Sequence, residues 1–181
     1  MSLAAYNRKR DFQKTSEPVP EEKQVRHPDR LSFVVQRHHA SHLHFDFRLE
    51  FDGVLKSWAI PKGPSMNPAD KRLAVLVEDH PLDYARFEGT IPSGNYGAGT
   101  VEVWDSGLWY PAQGFEDIGK ALKDRLLEFY LEGEYLKGAF RLMGMNRTDP
   151  KNWLLIKRKD EAAYLNMYDA NQLRSLGVKG I

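Results

Sequence analysis

The sequence contains no cysteine. Disulfides and thiolate metal sites are therefore excluded, and the composition suits a reducing compartment, so a cytoplasmic location is expected. Any metal would have to be held by histidine, aspartate or glutamate. The chain also lacks an apolar run of about 18 residues, so no membrane-spanning helix is expected. A secretory leader is not expected either, because the first apolar residues are isolated and Arg8-Lys9-Arg10 follows them. An excess of charge is missing too: 26 basic residues stand against 25 acidic ones, a net of +1. A chain of this balance does not coat a polyanion, so contact with nucleic acid must run through a local pocket that reads an end or a single phosphate. What is present is enough apolar and aromatic material, 41% and 12% of 181 residues, for one domain with a real core.

Histidine is scarce and concentrated. Of six in the chain, His38, His39, His42 and His44 fall within seven residues. From Leu43 to Asp52 apolar residues (Leu43, Phe45, Phe47, Leu49, Phe51) alternate strictly with polar ones (His44, Asp46, Arg48, Glu50, Asp52). Side chains in a strand alternate at period two, so this is a strand with one buried face. Residues two apart project to the same side about 6.6 Å from each other, which lets His44 and Asp46 converge on one ion. Two imidazoles and a carboxylate suit a divalent transition metal. Arg48 lies one step further on, and its planar fork suits a phosphate. His38, at the end of the preceding apolar run, is positioned to fold back as a third ligand, and His42 shares the parity of His44. The bland alternative is a charged outer face on an edge strand.

The chain divides into an N-terminal arm over residues 1–30, a β domain over 31–160 and a helical extension over 161–181. The arm, with Pro18, Pro20 and Pro28, is read as extended and without a core of its own. Strands are expected at Leu31–Arg37, Leu43–Phe51, Val54–Ile60, Leu73–Val77, Thr100–Trp104, Leu126–Leu131, Tyr135–Leu142 and Trp153–Ile156. Asp52-Gly53 marks a tight hairpin, and Asp105-Ser106-Gly107 reads as another turn. Helices are expected at Phe115–Asp124 and Ala162–Leu176. The fold class is mainly β: a compact β-barrel of about eight strands with one or two short helices.

Other residues invite two readings each. His80 precedes a proline at a strand end, where it serves as a satisfied structural residue or as an acid or cation beside a phosphate. Tyr84 packs or donates to the same anion. Lys62 sits in a loop framed by proline and glycine. The segment Pro92–Gly99 reads as a loop that cradles phosphate through backbone N–H groups or, better, as a turn between strands, since it matches neither the P-loop nor the dinucleotide fingerprint. Trp58, Trp104, Trp109 and Trp153 are core candidates. Lys157-Arg158-Lys159 reads as a solvated face.

Four longer strings carry a resemblance. They are Phe33-Val34-Val35-Gln36-Arg37-His38 with Leu43-His44-Phe45-Asp46-Phe47-Arg48-Leu49-Glu50; Leu55-Lys56-Ser57-Trp58-Ala59-Ile60-Pro61-Lys62-Gly63-Pro64; Val77-Glu78-Asp79-His80-Pro81-Leu82-Asp83-Tyr84; and Phe87-Glu88-Gly89 continuing through Ile91-Pro92 and Gly94-Asn95-Tyr96-Gly97-Ala98-Gly99-Thr100. Together they resemble the 3'-phosphoesterase domain of bacterial DNA ligase D and its stand-alone archaeal relatives, from about Tyr6 to Glu161.

The resemblance implies a compact barrel and metal-dependent healing of DNA 3' ends. A 3'-terminal ribonucleoside is trimmed to leave a 3'-phosphate, and the phosphate is then removed to give a 3'-OH for ligation in non-homologous end joining. By motif position, His38, His44 and Asp46 match the metal ligands, with Mn²⁺ first and Co²⁺ or Zn²⁺ as substitutes. Arg48, His80 and Lys62 match phosphate-site residues, with His80 closing the anion clamp or protonating the leaving oxygen. Arg10, Asp11 and Glu17 match functional residues of the arm, and Tyr84 matches a residue close to the site. The partners implied are DNA or RNA–DNA primer-template 3' ends, with a DNA ligase, a polymerase and Ku as separate polypeptides or further domains. No membrane is implied, and the location becomes nucleoid-associated cytoplasm. The sequence departs from the pattern at His39 and His42, where an acidic and a basic residue are expected, and it has no nucleotidyl-lysine motif, since Glu50-Phe51-Asp52-Gly53 lacks the lysine. Two rivals share the triad: a non-haem Fe(II) oxygenase with a two-histidine, one-carboxylate site, and a non-catalytic module that binds nucleic-acid ends.

Overall fold

The structure, a computed structural model, describes residues 3–20, 31–146 and 148–163. Nine antiparallel strands form its body: β1 (Leu31–His39), β2 (Leu43–Phe51), β3 (Val54–Ile60), β4 (Arg72–Leu76), β5 (Gly89–Ile91), β6 (Gly99–Pro111), β7 (Leu126–Glu132), β8 (Lys137–Gly144) and β9 (Asn152–Lys157). The neighbour order β1-β2-β3-β4-β9-β8-β7-β6 closes through a β1–β6 pairing, and β5 adds a short ninth strand along β6. The result is an eight-stranded barrel with one extra strand. Among the described residues, closure leaves no long unpaired edge, the usual liability of a β protein.

Alternation sorts each wall strand into two faces. Phe45, Phe47 and Leu49 of β2 point inward and join Phe33, Trp58, Trp109, Phe129 and Phe140 in the core. All four tryptophans are buried there, as expected. The opposite face is the surprise. Asp46, Arg48 and Glu50 are also buried, as are Gln36 and Ser57 on the flanking strands. A second layer lies over this outer wall. It is built from the N-terminal arm, a 3-10 turn over Leu82–Arg86 and the glycine-rich connection to β6. Tyr6, Leu55, Tyr84, Phe87, Ile91 and Val101 form its own apolar cluster. The polar face of β2 is therefore the floor of a covered site rather than a solvated edge.

Several expectations are corrected. The arm is not wholly extended: it opens with α1 (Leu3–Arg8), which buries only Tyr6, so no periodic apolar pattern announces it. Strand β6 runs straight through Asp105-Ser106-Gly107, where a turn is expected. The buried Asp105 carboxylate accepts from the amides of Ser106, Glu134, Tyr135 and Leu136, clamping the β7–β8 hairpin. Gly107 is needed because a Cβ there would come 2.0 Å from the carbonyl oxygen of Glu132. Turn-like composition thus marks two tertiary contacts. The second helix, α2, begins only at Ile118 and ends at Asp124, because the Asp117 side chain caps it by accepting from the Lys120 amide. Strand β8 starts at Lys137 rather than Tyr135. The helix expected over 162–176 falls outside the described residues from 164 onward. Lys157 is no solvated cation: it is buried, with its ammonium on Ala139 O, Arg158 O and the Asp160 carboxylate. The Asp52-Gly53 hairpin is as expected, with φ of 51° and 73° at the two turn residues. Among the described residues no helix is long and apolar enough to cross a membrane.

Candidate metal and phosphate site

Strand β1 extends to His39, two residues beyond expectation, and that extension makes the site. His38 folds back across the short connection over residues 40–42, as a continuation of the strand rather than from a loop. It sits in the ladder directly opposite His44, as Gln36 sits opposite Asp46. Each imidazole is fixed by its outward nitrogen. The Nε2–H of His38 donates to the carbonyl of Gly97 at 2.8 Å. The Nδ1–H of His44 donates to the carbonyl of His42 at 3.0 Å. This leaves Nδ1 of His38 and Nε2 of His44 facing the Asp46 carboxylate, at 3.5 and 3.7 Å from its two oxygens. The three ligand atoms lie within 4.8 Å of one another, a spacing that an ion with ligands at about 2.0–2.2 Å draws in by small side-chain rotations. Backbone carbonyls holding the far nitrogens are the usual support of a metal-ligating histidine. The donor set therefore fits a divalent transition metal, and it is the one such group among the described residues. His39 stands apart at 3.9 Å from Glu102, and His42 supplies only its carbonyl to the triad.

Arg48 lies beneath the triad and is only 2% exposed. Its Nη2 donates to Asp46 at 3.1 Å, its Nε to Gln36 Oε1 at 2.7 Å and its Nη1 to Ser57 Oγ at 2.9 Å. Its guanidinium also lies over the Tyr84 ring, 4.8 Å from the centroid. Gln36 is held in turn, its amide nitrogen donating to the carbonyls of Tyr84 and Phe87. Burial alone would raise the Asp46 carboxyl, but Arg48 and the two histidines more than offset it and hold the group far below the usual carboxylate range.

The arm brings a second guanidinium to the same cavity. Arg10 Nε donates to Glu17 at 2.8 Å, Nη1 to Glu78 at 3.1 Å, and Nη2 lies 3.3 Å from His80 Nε2. Glu17 also accepts from Tyr84 OH at 3.0 Å and from Thr15. Lys9 adds a contact to Glu78 at 2.9 Å. The Nδ1–H of His80 donates to the carbonyl of Glu78, so its Nε2 is the acceptor of the Arg10 bond. Burial, with Arg48 and Arg10 nearby, holds this imidazole neutral, well below its ordinary value. In this arrangement His80 has no proton on Nε2 to give, and it steadies Arg10 instead.

One cavity of about 290 Å³ is lined by His38, His44, Asp46, Arg48, Arg10, His80 and Tyr84, among others. Glu17 braces it from behind. Two residues singled out in the sequence lie outside it. Lys62 is exposed and lines a separate hollow with Asp70, Lys71 and Arg72. Asp11 is exposed and paired with Lys14 at 3.0 Å. Sequence reasoning passed over Gln36, Ser57, Glu78, Tyr6 and Lys9. Gln36 shares the strand parity of His38, and Ser57 is the partner of Arg48 across the Asp52-Gly53 hairpin, and those were the available signals; Glu78, Tyr6 and Lys9 depend on contacts between the arm and the barrel.

The neutral His80 has a measurable consequence. Its folded value lies below the ordinary 6.5, so below pH 6.5 the unfolded chain takes up a proton that the native state refuses. Stability is full above that pH and falls as pH drops. Glu78 and Asp46 are also lowered, burial notwithstanding, and they add loss once pH falls through the carboxylate range. In EDTA, the melting temperature should decline from pH 7 to pH 5, and His80→Gln should flatten that slope. A flat wild-type profile would contradict the arrangement.

Comparison with known proteins bears on the site. A family model described as "DNA Ligase D 3'-phosphoesterase domain" matches residues 36–144, a span holding the triad, Arg48 and His80. The Multifunctional non-homologous end joining protein LigD of Pseudomonas aeruginosa is 53% identical over 169 residues, 92% of this chain and 20% of that protein. The Mycobacterium tuberculosis protein, Multifunctional non-homologous end joining DNA repair protein LigD, is 45% identical over 162 residues, 88% of this chain and 20% of the relative. The LigD of Mycolicibacterium smegmatis is 44% identical over 165 residues, 88% of this chain and 21% of the relative. The chain thus spans about a fifth of the length of the curated relatives it matches.

Proposed function

The chain belongs to the DNA ligase D 3'-phosphoesterase family, and from that premise we propose that it heals DNA 3' ends for ligation in non-homologous end joining. The observation that carries this reading is the meeting, in one cavity, of a metal-ligand triad with two buried guanidiniums from different parts of the chain. A carboxylate substrate needs one cation, whereas a phosphoryl group spreads charge over three oxygens and profits from several. The arginine pair therefore favours phosphoester hydrolysis over the oxygenase chemistry that shares the triad.

Two hydrolytic steps follow, each consuming one water. In the first, the bond between phosphorus and the 5' oxygen of a 3'-terminal ribonucleoside breaks, leaving a 3'-phosphate on the strand and releasing the nucleoside. In the second, the bond between phosphorus and the strand's 3' oxygen breaks, leaving a 3'-OH and inorganic phosphate. His38, His44 and Asp46 would hold a divalent ion, Mn²⁺ first, which when bound supplies Lewis acidity and a template. Arg48 and Arg10 neutralise charge growing on the phosphoryl oxygens. His80 and Glu17 keep Arg10 in place, and Tyr84 keeps Glu17 and Arg48 in place. Lys62 and Asp11 act from outside the cavity, Lys62 by meeting a phosphate elsewhere on the substrate strand and Asp11 by orienting the arm. A 2'-OH is needed in the first step, as a contact or, on the ribose that carries the 3'-phosphorus, as an internal nucleophile that expels the 5' oxygen and forms a 2',3'-cyclic phosphate, which the water then opens to the 3'-phosphate. A ligase, a polymerase and Ku would act beside it, as separate polypeptides or as other parts of a longer protein, in the nucleoid-associated cytoplasm.

The test is a primer-template whose primer ends in one or two ribonucleotides, incubated with Mn²⁺ or EDTA, with His44→Ala in parallel. The expected result is shortening to a 3'-phosphate and then a 3'-OH, lost in EDTA and in the variant. An unchanged primer with intact binding would leave an end-binding module. Turnover that required iron and oxygen would favour the oxygenase.

A further inference from the structure

We propose that the exposed ring of Tyr96, which lines the cavity beside its cations, is a subsite that stacks the base of the 3'-terminal nucleoside. This rests on the phosphoesterase reading and adds to it where the leaving group sits. The cavity that holds Arg10, Arg48, His80 and the triad is also lined by Ala40, Ile91, Tyr96 and Gly97, and the Arg10 guanidinium lies 5.7 Å from the Tyr96 ring centroid. Tyr96 stands in the connection between β5 and β6, and its residue is 49% exposed. An exposed aromatic at the mouth of a charged cavity contributes little to the core.

The ring is nonetheless held in place. Lys9 donates to its hydroxyl at 3.1 Å while bonded to Glu78, and the same ammonium lies 4.2 Å from the ring centroid. The arm that brings Arg10 to the phosphate therefore also steadies Tyr96. The loop is tied to the triad as well, because Gly97, one residue on, accepts the His38 bond. A fixed ring beside cations that suit a phosphate is the arrangement of sequence-tolerant single-strand binders, in which bases stack on aromatic platforms. A terminal ribonucleoside attached to the bound phosphate carries such a base. A bare 3'-phosphate does not.

The subsite should therefore matter for one step and not the other. Tyr96→Ala is expected to lower kcat/KM for ribonucleoside removal by on the order of tenfold to a hundredfold, and to shift the ratio of that step to phosphate removal by the same factor. Tyr96→Phe and Tyr96→Trp keep a π face and should keep the ratio. A primer ending in a ribose without a base should be cut by wild type as slowly as by Tyr96→Ala, and should not distinguish the two proteins. If Tyr96→Ala slows both steps equally, the residue only supports the fold of the cavity; if it slows neither, it does not touch the substrate. Either result overturns the subsite. Wild-type protein inactive on both ends would instead sink the phosphoesterase reading itself, and the subsite with it.

Discussion

Asp46→Asn is expected to cut Mn²⁺-dependent turnover at a ribonucleotide-ended primer by roughly a thousandfold or more. Removing one outer-shell support of a metal ligand already costs about ten- to a hundredfold, and members of a catalytic unit fail together rather than in parts. Asp46 does two jobs. Its carboxylate faces both His38 and His44, and it is the charged partner of Arg48. An amide gives the ion no anionic ligand and leaves a buried guanidinium without its counter-charge, a position that proteins avoid. Mn²⁺ affinity, followed by the metal's spin resonance or by calorimetry, should fall together with the rate. Near-normal affinity and rate in the variant would mean that the ion, if there is one, is held elsewhere.

Glu17→Ala should release the arm. Glu17 is buried and serves three donors: Arg10, Thr15 and Tyr84. Breaking a buried ion pair by removing one partner costs about 3–5 kcal/mol. The arm can escape that cost by lifting off, carrying Arg10 and Lys9 away from Glu78 and His80. The expected outcome is loss of at least about a hundredfold in kcat/KM, because a guanidinium that lines the cavity, and that the proposed function aims at the phosphate, is gone. The melting temperature should drop by several degrees, at about 2–4 °C per kcal/mol for a chain of this size. Trypsin should gain cleavage at Lys9 and Arg10; the Arg10 side chain is only 4% exposed while the arm is docked. Glu17→Gln, which keeps one acceptor oxygen where the carboxylate offers one to Tyr84 and the other to Thr15 and loses the charge, should fall between. Wild-type rates with an unchanged digest would show that Glu17 does not tether the arm.

The barrel was legible because its cause is local. Alternation of the kind seen in Leu43–Phe51 fixes strand and inward face together, and the Asp52-Gly53 hairpin fixes register. What covers a face is not local. The polar residues of β2 looked the same whether they met water or a second layer, and only the docked arm and the segment around Tyr84 make Asp46 and Arg48 buried. His38 was legible as a residue type but not as a position, since the expected strand ended one residue short of it. Asp105-Ser106-Gly107 misled because a carboxylate that collects hairpin amides and a glycine that admits a neighbouring carbonyl have the composition of a turn. Glu78 and Tyr96 carried no signal of their own: Lys9, which joins them, is 69 and 87 residues away in sequence. Lys62 was singled out by its Pro/Gly-framed loop and Asp11 by resemblance, and neither lines the triad's cavity.

The two faces of β2 have a consequence for how the protein can change. Phe45, Phe47 and Leu49 answer to the interior, and His44, Asp46 and Arg48 to the cavity, yet each residue of one set is the covalent neighbour of one in the other. A slip of one residue in the register of β1 against β2 would exchange the two sets wholesale, putting charges in the core and rings in the cavity. Substitutions can accumulate on either face, but insertions and deletions within the strand have no tolerable intermediate. The ribbon carries two interleaved messages in one reading frame, and the closed barrel keeps that frame locked.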